Sequence, residues 1–182
     1  QPRTGSEAAY LAASQRTPEQ RRKMATPSHV ARRGSRDTLD TLVKRAAARE
    51  RNLAKPMTMH EAQFASLLDA QGVEWRREVA CGPYNFDFAV GTIAVEVLGG
   101  NWHMGHSRVD HPRRSEHILD AGWVLCYIWA LTKPDSPITM KAAEYVVTLA
   151  DQASRNPSML GEYRVIRGDA QLISTGRDKL DH

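Results

Sequence analysis

The strongest constraint on the fold is a pair of short apolar segments that meet at Gly91 and Thr92. Both segments are rich in β-branched and aromatic residues, and glycine in the first position of a two-residue loop is typical of a type II′ hairpin. In such a hairpin Asp87 on the first strand lies directly opposite Glu96 on the second. Paired residues have Cβ atoms about 4.5–5.5 Å apart. The sequence therefore predicts two carboxylates side by side in a sheet.

The first strand of this hairpin is expected to divide its side chains between two faces. Because side chains alternate along a strand, Asp87 and Ala89 are predicted to share one face. The other face is predicted to carry Phe86, Phe88 and Val90.

Two carboxylates in paired positions need a compensating charge, because like charges directly opposite each other destabilise a sheet. A cation between Asp87 and Glu96 would supply it, and a divalent metal ion bound by oxygen ligands is the first candidate. Two other interpretations stay open. Either carboxylate lies at a solvated strand edge, or Glu96 pairs with one of the many arginines.

Periodicity and capping residues predict an α/β fold with a mixed sheet between helices. Helices are expected at 17–23, from a Ser35 cap to 51, at 61–70 behind a capping box at Thr58, and at 113–121 and 139–153. Strands are expected at 73–79, 86–90, 93–98 and 123–129, with a small hairpin in 163–174. The nearly continuous apolar run 123–129 is typical of a central strand that is covered on both faces.

Charge is distributed unevenly along the 182 residues. Residues 1–57 hold 13 Lys and Arg against 5 Asp and Glu, a net charge of +8, whereas the rest hold 12 against 16, a net charge of −4. This predicts a basic helical arm at 1–57 that binds a polyanion, a core domain at 58–135, and a C-terminal helix with a small extension at 136–182. A solvated, partly disordered tail is favoured for 1–16. The arm residues expected to contact nucleic acid are Arg21, Arg22, Lys23, Arg32, Arg33, Lys44 and Arg45.

Several classes of protein are disfavoured by composition. No run approaches the 18 or so apolar residues of a membrane helix, so no membrane partner is expected. Two cysteines, Cys81 and Cys126, are too few for a disulfide framework and indicate a reducing compartment. A cytoplasmic protein is expected.

Residues 58–131 carry a series of motifs that resemble a known superfamily. A helix with a carboxylate near its start is followed by D-x8-E-x-L, by G-G-N-W-H, by a helix with arginines, and by G-W-V-L-x-x-I-W. This series resembles the PD-(D/E)xK nuclease superfamily, and within it the Vsr-like (very-short-patch-repair) endonucleases and the phage homing endonucleases with a Vsr-like catalytic domain. The resemblance implies a restriction-endonuclease-like fold, in the cytoplasm of a bacterial or phage-infected cell.

The resemblance also implies roles for individual residues at a metal site. Asp87 matches the metal-binding aspartate, Glu96 stands at the D/E position, and Val97 would lend a backbone carbonyl. Glu61 matches a carboxylate of the first helix that helps to hold the metal or its water. Glu61 is equally explained as the partner of Thr58 in a capping box. The implied cofactor is Mg²⁺, or Mn²⁺ in its place.

The position that holds lysine in this superfamily is Leu98, which cannot act as a base. In the Vsr-like branch a histidine further along the chain acts as the base, and His103 matches that histidine. An imidazole can accept a proton from water near neutral pH. The residues expected at the DNA, besides those of the arm, are Trp102, Arg108, Arg113 and Arg114. Trp102 is nearly as well explained as a packing residue, and Arg113 and Arg114 as a solvated helix face.

This chain departs from the Vsr pattern in three ways. Vsr-type enzymes lack an acid where Glu96 stands, their loop after Asp87 is longer, and the cysteines of their structural zinc site are absent here. The expected function is a metal-dependent DNA endonuclease of homing or Vsr-like type, with a homodimer on a symmetric site left open. The alternatives are a catalytically inactive nucleic-acid-binding protein on a nuclease fold, and an RNA-processing nuclease.

Overall fold

The computed structural model divides the chain into two units, 1–37 and 38–182. It describes residues 17–20, 23, 37–53, 55–99, 111–130 and 137–177. In the first unit a helical segment begins after Thr17, as predicted. The Thr17 hydroxyl accepts a hydrogen bond from Gln20 N at 3.2 Å, and Gln20 Oε1 accepts one from Thr17 N at 2.9 Å.

The second unit is an α/β structure with one mixed six-stranded sheet, which confirms the predicted class. Its helices are α1 (Leu39–Asn52), α2 (Met59–Ala70), α3 (His111–Asp120) and α4 (Met140–Arg155). Its strands are β1 (Arg76–Cys81), β2 (Tyr84–Val90), β3 (Ile93–Gly99), β4 (Val124–Ala130), β5 (Tyr163–Arg167) and β6 (Leu172–Gly176). The strands lie in chain order. The β3–β4 and β4–β5 pairs are parallel and the other pairs are antiparallel. No described helix is long and apolar enough to cross a membrane.

Helices cover both faces of the sheet, and each face has its own apolar core. Phe64 of α2 and Val146 of α4 pack in one core with Phe88 of β2. Ile118 of α3 packs in the other core with Leu125 of β4. β4 is buried on both sides, as its apolar run predicted, because it lies in the middle of the sheet.

Helix α1 begins later than predicted and belongs to the second unit. Its N-cap is Thr38, whose hydroxyl accepts a hydrogen bond from Thr41 N at 3.3 Å, so the prediction of a cap at Ser35 is wrong. Glu50 of α1 accepts a hydrogen bond from Ala80 N of the edge strand β1 at 3.3 Å. An edge strand otherwise presents unpaired backbone groups, and α1 covers part of them.

The predicted β2–β3 hairpin is present. Val90 pairs with Ile93 and Phe88 with Val95. Gly91 has a φ of 56°, whereas Thr92 is not among the residues with positive φ. Positive φ at only the first central residue is the pattern of a type II′ turn.

The side chains of β2 do not alternate as predicted. Phe86 packs in the core beneath α3, whereas Phe88 packs in the core beneath α2. The predicted shared face of Phe86 and Phe88 is therefore wrong. The change of face coincides with Glu78 of β1, which has a φ of 50°. In the β1–β2 register Glu78 and Asp87 lie between the pairs Arg77–Phe88 and Val79–Phe86.

Candidate active site

The candidate site lies where β2 and β3 separate. Their register continued by one step places Asp87 opposite Glu96, as the hairpin predicted. The backbone N–H of Val97 donates a hydrogen bond to the side chain of Asp87 and not to a backbone oxygen. The distance from Val97 N to Asp87 Oδ2 is 2.8 Å. The structure therefore assigns Val97 a contact through its N–H, and its role as a carbonyl ligand stays a prediction.

Both carboxylates are held where ionisation is unfavourable. Glu96 is only 3% exposed, and burial raises its pKa well above the ordinary value although the nearby Arg114 opposes the rise. The negative charge of Asp87 raises it further. Burial raises the pKa of Asp87 to about 6, although the hydrogen bond from Val97 lowers it. Buried carboxylates near each other are typical of sites that bind a cation or exchange a proton.

Arg114 of α3 supplies the positive charge that these acids meet. Its guanidinium contacts Glu96 Oε1 in an ion pair and donates to the backbone oxygen of Asn85. Burial lowers the pKa of Arg114, but the charges of Glu96 and Asp87 raise it by more. Glu96 therefore pairs with an arginine, as one of the two other interpretations of the sequence had it. The contact of Arg114 with DNA stays a prediction.

The charge of Arg114 does not satisfy the whole site. Glu96 Oε1 is buried and has no well-aligned hydrogen bond within the described residues. Two cations and three carboxylates influence this region, since the charge of Glu61 raises the pKa of Asp87 and the charges of Arg114 and Lys55 lower it. Carboxylate oxygens are ligands of the type that Mg²⁺ takes in proteins. No group of three or more His, Cys, Asp or Glu arranged to hold a metal is found in the part of the chain that the structure describes.

Glu61 has the capping role that was considered for it, and its role at a metal stays a prediction. It closes a capping box with Thr58, with Glu61 Oε2 accepting from Thr58 N and Thr58 Oγ1 accepting from Glu61 N, each at 3.3 Å. It is also 7% exposed and close enough to Asp87 to affect its pKa. The capping box therefore holds a carboxylate whose charge influences Asp87.

The remaining predicted residues divide into three groups. Lys44, Arg45 and Arg113 are exposed, and Lys44 Nζ lies 2.7 Å from Asp40 Oδ2. Lys23 is an exposed helical residue of the first unit. Outside the described residues lie His103, Trp102, Arg108, Arg21, Arg22, Arg32 and Arg33.

His60, which lies next to Glu61 on α2, is not among the residues predicted at the site. A Cβ on Gly99, at the end of β3, would lie 2.8 Å from His60 Cδ2, so the imidazole packs directly on that glycine. His60 Nδ1 is buried without a hydrogen-bond partner among the described groups. Only the adjacency to Glu61 could have drawn attention to His60, because its contact with Gly99 is made across the fold.

These features define an α/β protein with buried acids on two neighbouring strands of a mixed sheet. Comparison with models of known protein families, with curated proteins and with solved structures finds no match to the chain.

The raised pKa of Asp87 predicts that the metal-free protein loses stability as pH rises. Between the ordinary aspartate pKa of 3.8 and the folded value of about 6, the folded state holds more protons than the unfolded state. The free energy of unfolding therefore falls through this window, by up to about 3 kcal/mol. Urea unfolding in EDTA at pH 4 and pH 7 measures it. Asp87→Asn should remove the part of this pH dependence that Asp87 contributes and leave the part due to Glu96, whereas the exposed control Asp120→Asn should keep the whole of it. The same pH dependence in all three proteins would contradict the assignment.

Removal of Arg114 should strongly destabilise the protein. In Arg114→Met the buried carboxylate of Glu96 loses its ion pair, which costs about 3–5 kcal/mol when one partner of a buried pair is removed. The neighbouring Arg113→Met, on an exposed side chain, should change stability by less than about 0.5 kcal/mol. Urea midpoints at pH 8 compare the two. Adding Glu96→Gln to Arg114→Met should restore much of the loss, and the absence of any recovery would argue that Arg114 acts through packing alone.

Proposed function

We propose that this chain is a metal-dependent DNA endonuclease that hydrolyses phosphodiester bonds, of the homing or Vsr-like type. One observation supports this above all. Asp87 and the buried Glu96 lie on neighbouring strands at the point where the strands separate, and Glu96 Oε1 has no well-aligned hydrogen bond among the described residues although Arg114 contacts it. A fold rarely keeps such a costly arrangement without a use for it.

The proposed cofactor is Mg²⁺, or Mn²⁺ in its place, held by Asp87, Glu96 and the Val97 carbonyl. When bound, the ion supplies a Lewis acid that polarises a phosphate and lowers the pKa of a water molecule. The residues of the chain provide the rest. Asp87 is held in orientation by the N–H of Val97. We propose that Glu61, whose carboxylate also closes a capping box with Thr58, orients a water molecule at the site.

The proton acceptor in this proposal is His103, because Leu98 stands where the superfamily has lysine and carries no titratable group. An imidazole takes a proton from the attacking water near neutral pH. Trp102, Arg108 and Arg113 are proposed to contact the DNA strand, Arg113 from the exposed surface of α3. The exposed side chains of Lys44 and Arg45 on α1 would add affinity that does not depend on sequence, through contacts to phosphates.

A second candidate function is binding of nucleic acid without cleavage. The ion pair between Arg114 and Glu96 favours it, because a guanidinium already compensates one of the two proposed metal ligands. An RNA-processing nuclease would use the same chemistry on a different polymer. DNA is the partner that we propose, in the cytoplasm, with a homodimer on a symmetric site as the proposed assembly to test.

The test of cleavage is nicking of a supercoiled plasmid with Mg²⁺, with Mn²⁺ and with EDTA. The wild-type chain should nick DNA only with a divalent ion. Asp87→Ala should reduce the rate at least about a hundredfold, because a metal ligand is lost, while DNA affinity stays within a few-fold of wild type. The exposed control Asp120→Ala should behave as wild type. DNA binding without nicking under any ion would favour the second candidate, and cleavage of RNA alone would favour the third.

Metal binding has a second readout that does not need activity. A ligand that binds only the folded state stabilises it, so millimolar Mg²⁺ or Mn²⁺ should raise the melting temperature at pH 8. At pH 5 the effect should be smaller, because Asp87 with a pKa of about 6 is then mostly protonated. Glu96→Gln and Asp87→Asn should each abolish the shift. An equal shift in wild type and in both variants would place the ion elsewhere.

A further inference from the structure

A cavity of about 320 Å³ lies between helix α1 and strand β1. It is lined by three cationic side chains, Arg45, Arg49 and Lys55, and by Glu78. Arg45 and Arg49 are one turn apart and thus lie on the same side of α1. Lys55 Nζ lies 3.8 Å from Glu78 Oε1. The side chains that line the cavity therefore carry an excess of two positive charges.

The part of the cavity at Glu78 has an unusual backbone conformation. The φ of 50° at Glu78 is one that L residues with a side chain rarely adopt, at a cost of about 1–2 kcal/mol. The Asn85 amide holds this conformation, since its Nδ2 donates to Glu78 O at 2.8 Å and to Ala46 O at 2.9 Å. Asn85 thereby ties α1 to the irregular part of β1. Unusual backbone of this kind is concentrated at ligand sites.

The cavity is close to the acids of the candidate active site. In the β1–β2 register Glu78 lies across from Asp87, and neighbouring strands are about 4.8 Å apart. The charge of Lys55 is near enough to lower the pKa of Asp87, and the charge of Glu78 raises the pKa of Glu96. A group held in this cavity would therefore lie one strand away from the acids.

We propose that this cavity binds a backbone phosphate of DNA, adjacent to the phosphate that reaches Asp87 and Glu96. This inference rests on the proposed function. Guanidinium and ammonium groups are the donors that proteins use for phosphate. The side chains of Arg45, Arg49 and Lys55 are exposed, so a long polymer has access to them. Ala48 and Leu53 add an apolar wall against which a sugar can pack.

The experiment measures binding of a fluorescein-labelled DNA duplex by anisotropy, in EDTA, over a range of salt concentrations. EDTA removes cleavage, so the result does not depend on whether the chain is an active nuclease. Arg49→Gln should weaken binding by about tenfold and reduce the slope of log K against log salt by about one. The matched control is Arg51→Gln, on the same helix but outside the cavity, which should leave both quantities unchanged.

Three outcomes would overturn the inference. The first is an equal loss in Arg49→Gln and Arg51→Gln, which indicates a diffuse basic surface. The second is wild-type DNA affinity in Arg49→Gln, or no DNA binding by the wild-type chain. The third is a melting temperature that inorganic phosphate raises in wild type but not in Arg49→Gln, with DNA affinity unchanged, which indicates a site for free phosphate. Loss of DNA affinity in Arg49→Gln in a chain that never nicks DNA would support the cavity and reject only the nuclease.

Discussion

The carboxylate of Glu96 is buried between β3 and α3, and the rest of the site is arranged around that charge. An ionised acid in such a place is costly unless an opposite charge lies beside it. Arg114 provides that charge from α3. Asp87 and Glu61 then add two acids to the same region, and Lys55 adds one further positive charge. The resulting electrostatic imbalance distinguishes this site from an ordinary buried ion pair.

A single irregularity connects the acids to the basic surface. Glu78 adopts a left-handed conformation where β2 changes the face of its side chains, and the side chain of Asp87 there accepts a hydrogen bond from Val97 of β3. The same residue lines the cationic cavity beneath α1. A regular β1–β2 ladder would leave Asp87 on one face of β2. The strained residue Glu78 thus lies between the cationic cavity and the acids, which are one strand apart.

Helix α1 has a structural role as well as the expected binding role. It packs on the edge of the sheet through Glu50 and Ala46, and so belongs to the folded unit that contains the acids. The helix that carries Arg45 and Arg49 is thereby held against the strands β1 and β2. A binding element on a rigid helix can place a polymer at a defined distance from a reacting group, which a loosely attached arm cannot do.

The sequence by itself determined the features that depend on near neighbours. Turn chemistry at Gly91 gave the β2–β3 register, the Thr58 capping box gave the start of α2, and the apolar run 123–129 gave the central strand. These rest on hydrogen bonds and periodicities within a few residues. The tertiary structure alone decided that Arg114 meets Glu96, 18 positions away, and that Phe86 turns to the opposite core from Phe88. Those outcomes depend on which helix covers which face and on strain at Glu78. No short-range pattern encodes either one.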